Sequence, residues 1–239
     1  MNVKDLTFEE ALLKLYLEQP CKVLPNAIWK TLPLLEDLEQ SFNFDSEEIT
    51  SLKLWNKDSL HIYWTRDRSE FDLSEDYMKN IDFMLIHSDY IDNVPVETFE
   101  SKKSYFRMKH PLKDVEKSQI PEGFSIIDVD PETEADKVSS FIGECYENMH
   151  PSTETVESWS EKSVFDEESW IWIKDDEKDE KAALGIAEFD ERVSEISLEW
   201  IQVHPEYRAK GIGRVLVNVL LDRAEEKSDF ATVAGEYGT

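Results

Sequence analysis

The stretch that decides the fold runs Leu198-Glu199-Trp200-Ile201-Gln202-Val203-His204-Pro205-Glu206-Tyr207-Arg208-Ala209-Lys210-Gly211-Ile212-Gly213-Arg214. Its first third reads as a strand that ends near Val203. After a short loop comes a helix whose apolar face holds Val215, Leu216, Val219 and Leu220. Gly211 and Gly213 stand where that helix begins, and glycine lets a backbone approach a ligand closely. The first N–H groups of a helix have no partner within it, and the helix dipole adds partial positive charge there. Such a turn is an anion site, and Arg208 and Lys210 add cationic side chains. A pyrophosphate matches this set. Two glycines before a helix also occur as plain tight turns. The third glycine of a dinucleotide fingerprint is missing, and no Gly-Lys-Ser/Thr ending makes a P-loop. An unrelated nucleotide-binding protein would rest on the glycine loop alone.

Working outward, the surrounding sequence keeps one rhythm. Strands are expected at Phe124–Val129, Trp170–Ile173, Ala183–Phe189, Glu195–Val203 and Phe230–Gly235. Helices are expected at Glu134–Asn148, Thr153–Lys162 and Arg214–Lys227. The run Asp175–Lys181 reads as a solvated turn, and Trp170 and Trp172 read as sheet core or surface cover and not as a stacking platform. The order β-α-α-β-β-β-α-β implies a mixed sheet with helices against it.

The preceding part reads as a smaller α+β domain. Thr7-Phe8-Glu9-Glu10 forms a capping box, followed by Ala11, Leu12, Leu15 and Tyr16 at helical spacing. A second helical pattern carries Ile28, Leu32, Leu35 and Leu38, with Pro33 inside it as a break or kink. A hairpin is expected from Leu52 to Trp64 across Asn56-Lys57-Asp58-Ser59, and a buried strand at Phe83–Ile86. A charged, aperiodic stretch from Pro111 to Gly123 marks a boundary. The expected domains are residues 1–118 and 122–239.

Composition excludes more than it selects. The 239 residues carry 53 acidic and 26 basic side chains, a net charge of -27. That field repels nucleic acid and anionic membrane surfaces and favours cationic amines. Acidity also serves solubility alone. No apolar run approaches the roughly 20 residues of a membrane span, and Met1–Thr7 lacks the form of a signal peptide. The expectation is a cytoplasmic protein with neither nucleic acid nor membrane partners. Cys21 and Cys145 are too few and too far apart for a disulfide framework or a zinc site, and no metal is expected.

Taken whole, Val203-His204-Pro205 followed by Arg208-Ala209-Lys210-Gly211-Ile212-Gly213 resembles the coenzyme A-binding signature of the GNAT superfamily of N-acetyltransferases. The resemblance covers Gly123 to the C-terminus. It implies a GNAT-like mixed sheet flanked by helices, an α/β (α+β) fold, and makes the first part a candidate degenerate copy of the same fold. It further implies acetyl-CoA as cosubstrate, with Ile201 and Val203 along the pantetheine arm, the backbone N–H groups of Lys210, Gly211, Ile212, Gly213 and Arg214 at the pyrophosphate, and Arg208 and Ala209 beside them as cofactor-binding residues. The backbone N–H near Val203 would polarise the thioester carbonyl. The reaction implied is direct attack by a primary amine in a ternary complex.

Glu199 is the candidate general base. By strict alternation it shares a face with Ile201 and Val203, while Leu198 and Trp200 point the other way. Its alternative is a surface charge or a contact for the substrate ammonium. Tyr146 and His150 are candidate acceptor contacts by the same resemblance, and His204 reads as a loop histidine. Members of the superfamily continue past the last strand seen here, often with a tyrosine as general acid. This chain stops at Thr239, so the expectation is a domain whose C-terminal part is missing, and the role is not transferred to Tyr237. A non-catalytic acyl-CoA-binding module or pseudoenzyme is the alternative. The acceptor is a small-molecule amine of open identity, and a homodimer is expected by analogy alone.

Overall fold

The structure, a computed structural model, describes residues 5–237 apart from Glu147. The first four residues, on which the expected absence of a leader rests, and Gly238 and Thr239 lie outside the described residues. Chain contacts divide the molecule into two units. One runs to Met108 and takes in the segment from Ala234; the other is Lys109–Val233.

In the first unit, helix α1 (Phe8–Glu18) begins as its capping box dictates. The Thr7 hydroxyl accepts from the Glu10 N–H at 3.2 Å, and the Glu10 carboxylate accepts from the Thr7 N–H at 2.7 Å. Helix α2 (Pro20–Val23) comes next. The helix expected around Ile28–Leu38 is instead two short 3-10 segments, Ile28–Lys30 and Leu32–Glu36. Pro33 has no N–H to donate and its ring crowds the preceding turn, so an α-helix cannot run through it. Of the four periodic apolar residues there, only Ile28 is buried.

The chain continues through β1 (Glu39–Asp45), β2 (Glu48–Trp55), β3 (Ser59–Thr65), α3 (Glu75–Asn80), β4 (Phe83–Met84) and β5 (Tyr105–His110). The β2–β3 hairpin is the one expected from sequence. β1 is an addition: six of its seven residues are exposed, so it shows no apolar alternation. β1 to β4 form one sheet in sequence order, and β4 lies parallel to β3.

The second unit contains β6 (Phe124–Asp128), α4 (Pro131–Cys145), α5 (Thr153–Ser160), β7 (Trp170–Asp175), β8 (Glu180–Asp190), β9 (Glu195–Val203), α6 (Ile212–Ala224) and, as far as Val233, β10 (Phe230–Glu236). This is the expected order. Within the second unit the sheet order is β10-β9-β8-β7-β6, antiparallel from β6 to β9, with β10 parallel to β9.

Each face of that sheet buries its own core. On one face Ile171, Ile173, Ala183, Ile196 and Leu198 pack against Leu216 and Leu220 of α6. On the other, Trp170, Trp172, Leu184 and Ile186 pack against Val138, Phe141 and Ile142 of α4 and Val156 of α5. Both tryptophans are fully buried core, as expected. Gly185 sets how near α6 lies: a Cβ there would stand 2.8 Å from a Leu216 methyl.

Candidate functional site: a splayed strand pair and a glycine loop

β10 pairs with β9 only from Phe230↔Glu195 to Val233↔Leu198. Past Leu198 the two parallel strands part, and β9 continues to Val203 on β8 alone. The register on β8 slips at the same place: Ile186 faces Trp200 and Ala187 faces Leu198, so Glu199 is the extra residue of a β-bulge. The bulge corrects the alternation expected from sequence. Leu198, Ile201 and Val203 all belong to the α6-side core, whereas Trp200 packs on the α4–α5 side. One inserted residue shifts the parity, so Leu198 joins the face of Ile201 and Val203 instead of opposing it.

The free edge of β9 offers donors. The N–H of His204 donates to the carbonyl of Ala182 on β8 at 3.0 Å. Direction alternates along an antiparallel ladder, so the N–H groups of Ile201 and Val203 point away from β8, to the side β10 has left. The Val203 carbonyl on that side accepts from Arg208 Nε at 3.1 Å.

The loop beyond β9 is curled by two left-handed residues, Ala209 at φ 60° and Gly211 at φ 80°. Among the described residues, the N–H groups of Ala209, Lys210, Gly211, Ile212 and Gly213 have no acceptor. The N–H of Arg214 donates to the Gly211 carbonyl at 3.1 Å and that of Arg208 to the Pro205 carbonyl at 3.4 Å. The open set is therefore Ala209 to Gly213, one residue earlier than the expected Lys210 to Arg214. A Cβ on Gly211 would meet nothing within 4 Å, so the space beside it is open. A nest of N–H groups at the start of a 13-residue helix fits such an anion.

Side chains brace this loop rather than line it. The Arg208 guanidinium also donates to the Cys145 carbonyl at the end of α4, at 3.1 Å. Arg214 pairs with Glu116 at 2.6 Å. Lys210 Nζ lies 4.8 Å from the centre of the Tyr207 ring. Ile212 is 1% exposed, its side chain in the core. The buried Tyr207 hydroxyl lies 3.0 Å from Asp175 and 2.9 Å from Glu180, its one proton shared between the two carboxylates, and ties the loop to the β7–β8 turn. Burial, with those two carboxylates beside it, pushes the Tyr207 hydroxyl well above the usual phenol range.

The β7–β8 turn is thus not wholly solvated, contrary to the expectation from its charge. Asp175 is buried and accepts from the N–H groups of Glu177 and Lys178. Burial pushes its carboxyl up, but the Lys178 N–H, the Tyr207 hydroxyl and the Glu177 N–H outweigh that and hold it below the usual range.

The remaining candidates divide. Glu199 is half-buried at the bulge. Tyr146, 38% exposed, meets Trp200 edge to face at 6.4 Å, which brings it beside that bulge. Trp159 stacks on Trp200 at 5.1 Å, a contact that sequence spacing does not reveal. His150 lies against Gly143 of α4, where a Cβ would be 2.8 Å from its Nδ1. His204 caps the turn at Pro205 and stands 3.7 Å from Glu144. Burial pushes the Cys145 thiol up to about 11, which keeps it protonated and unreactive at neutral pH. Gln202, 3% exposed, has no partner for either amide atom among the described residues. Among the described residues no cluster of His, Cys, Asp or Glu is arranged to hold a metal ion. No helix there is long and apolar enough to cross a membrane.

Residues 135–235 match the model of the acetyltransferase (GNAT) family, a match that falls almost wholly within the second unit. A sequence search of curated proteins finds no match. Solved structures agree on the fold. A GCN5-related N-acetyltransferase from Sphaerobacter thermophilus is 11% identical, with 80% of this chain and 69% of that one aligned at a TM-score of 0.58. A GNAT-family acetyltransferase from Colwellia psychrerythraea is 9% identical, with 98% and 89% aligned at 0.58. A tandem GNAT protein from the clavulanic acid biosynthesis pathway is 10% identical, with 100% and 89% aligned at 0.51. At such identities the likeness concerns fold. It supports reading the first unit as a GNAT-like copy as well.

Proposed function

We propose that the second unit is an N-acetyltransferase that moves an acetyl group from acetyl-CoA to a primary amine, by direct attack within a ternary complex. The observation that carries this reading is the parting of β9 and β10 at Leu198 and Val233, directly before a loop with five open N–H groups. The loop N–H groups from Ala209 to Gly213 would hold the pyrophosphate. Ile201 and Val203 would line the pantetheine arm with their outward N–H groups.

When bound, acetyl-CoA supplies an activated thioester carbonyl. The N–H groups of the free β9 edge are preorganised donors for the charge that develops on its oxygen. Glu199, lifted out of the ladder by the bulge, takes the proton of the acceptor ammonium, directly or through water. Tyr146, Trp200 and Trp159 form an aromatic wall next to it, suited to a cationic acceptor. His150 would contact the acceptor from the α4 side. The acceptor is an amine of a small molecule, and the setting is the cytoplasm, with no nucleic acid or membrane partner.

The test is calorimetry with acetyl-CoA on the unchanged chain, Gly211→Glu and Glu199→Gln, followed by acetyl transfer to a panel of amines. Gly211→Glu puts a carboxylate into the empty space and is expected to abolish binding. Glu199→Gln is expected to leave binding intact and to lower kcat by at least about 100-fold. Failure of the unchanged chain to bind acetyl-CoA would overturn the reading.

A further inference from the structure

The first unit repeats the strand–helix–strand arrangement of the acetyltransferase site. β3 leads through α3 to β4, and β4 lies parallel to β3. The two strands pair only at Ser59↔Phe83 and Leu60↔Met84, with one more bond from the Leu85 N–H to the Leu60 carbonyl. Beyond that they part, as β9 and β10 do. A cavity of about 680 Å³ opens there, lined by His61, Ile62 and Tyr63 from β3 and by Leu85, Ile86 and His87 from the diverging segment.

This cleft has no phosphate cradle. The connection from Thr65 to Ser74 contains no glycine, and α3 has six residues with Glu75 and Asp76 in its first turn. Carboxylates at a helix start compete with an anion for its N–H groups. Among the described residues this connection therefore offers coenzyme A no such seat for its pyrophosphate.

Two other properties of the cavity point to a different ligand. Its walls are largely apolar, and several are wet: Phe83 is 48% exposed, Val96 40% and Tyr105 53%. A soluble surface seldom leaves such residues together without a use. Its charge is also inverted relative to the chain. The charged side chains that line it are Lys22, Lys102, Lys103 and Arg107 against Asp82, whereas the whole chain has 53 acidic and 26 basic residues. Lys103 is held by Glu236 at 3.1 Å and Lys22 stands 3.9 Å from Asp89, so the cations are partly balanced. Lys102 is exposed and has no ion partner among the described residues. Burial lowers the basicity of His61 and His87, leaving both neutral hydrogen-bonding groups at the cavity wall near neutral pH.

We propose that the splayed cleft of the first unit is a separate binding site for an amphipathic carboxylate, its hydrocarbon tail along Ile62, Met84 and Ile86 and its head group at the Lys22 and Lys102 rim. The charge argument selects the sign of the head group. A molecule of net charge -27 attracts cations without any site, so preference for an anion has to come from a local one.

The test is calorimetry on the full chain with dodecanoate, dodecanol and dodecyltrimethylammonium, each below its micelle concentration. One dodecanoate per chain is expected, bound at least tenfold more tightly than either control. Lys22→Glu with Lys102→Glu is expected to weaken dodecanoate at least tenfold and leave dodecanol unchanged. Met84→Trp, which fills the cleft, is expected to remove both, with circular dichroism checking the fold. Gly211→Glu is expected to leave dodecanoate binding untouched, so failure of this site and failure of the acetyl-CoA reading are told apart. Absence of dodecanoate binding, equal affinity for dodecanol, or indifference to the charge reversal overturns the proposal.

Discussion

The molecule builds one motif twice, and the two copies differ in the segment that leaves the splay. In the second unit, β9 runs into a glycine loop and a 13-residue helix with six buried residues. In the first, β3 runs into a glycine-free connection and a six-residue helix that has an acidic first turn and buries only Met78. A parallel pair that parts is thus a scaffold property, fixed by strand register. Anion binding is an added property, and it depends on a left-handed residue that leaves N–H groups open before a long helix.

The largest effect expected from this contrast is on stoichiometry. Acetyl-CoA should bind once per chain, and Gly211→Glu should take that to none, a loss of at least about 100-fold in affinity. A residual site in the variant, read by the same titration, would break the comparison.

Next in size is the helix after the splay. Leu216 is fully buried against Gly185, and Leu216→Ala should cost about 4 kcal/mol in denaturant unfolding. Met78→Ala, in the helix of the first unit, should cost about 2 kcal/mol. Equal costs would mean that the short helix matters as much as the long one.

Smaller again is Glu134, which accepts from the Trp172 indole at 3.2 Å and pairs with Lys137 at 3.0 Å. Burial pushes its carboxyl up, but Lys137, Lys181 and the Trp172 N–H outweigh this and hold it below the usual range. A carboxyl lowered on folding stabilises the fold above its unfolded value of about 4.3. Glu134→Gln should therefore cost about 1 kcal/mol near pH 7, and the gap to the parent should close as pH falls through the folded value below that. A gap that stays constant with pH would assign the loss to packing.

The smallest change is a gain. Gln202→Leu removes an amide that is buried without partners among the described residues, and should stabilise the second unit by up to about 1 kcal/mol. A loss of acetyl transfer in that variant would make the amide part of the acceptor site.

Legibility in the sequence tracks the range of the interactions. The capping box at Thr7 and Glu10, the element order from Phe124 to Phe230 and the loop at Gly211 all rest on neighbours in sequence, where periodicity and glycine conformation act. Pro33 signals a break, but not how far it reduces a helix to 3-10 turns. β1 gives no signal because an exposed strand carries no alternation.

The site itself needed the third dimension. The sequence by itself determined a strand, a glycine turn and a helix whose start leaves N–H groups open, because these arise from local φ preferences and unpaired helix N–H groups. Only the tertiary structure decided that β10 leaves β9 at Leu198, that Glu199 is the bulged residue, and that Tyr207 and Arg208 tie the loop to Asp175, Glu180 and Cys145. It alone placed an apolar, cationic-rimmed cleft in the first unit. Register, bulges and cross-chain hydrogen bonds join residues tens of positions apart, and no local pattern encodes their pairing.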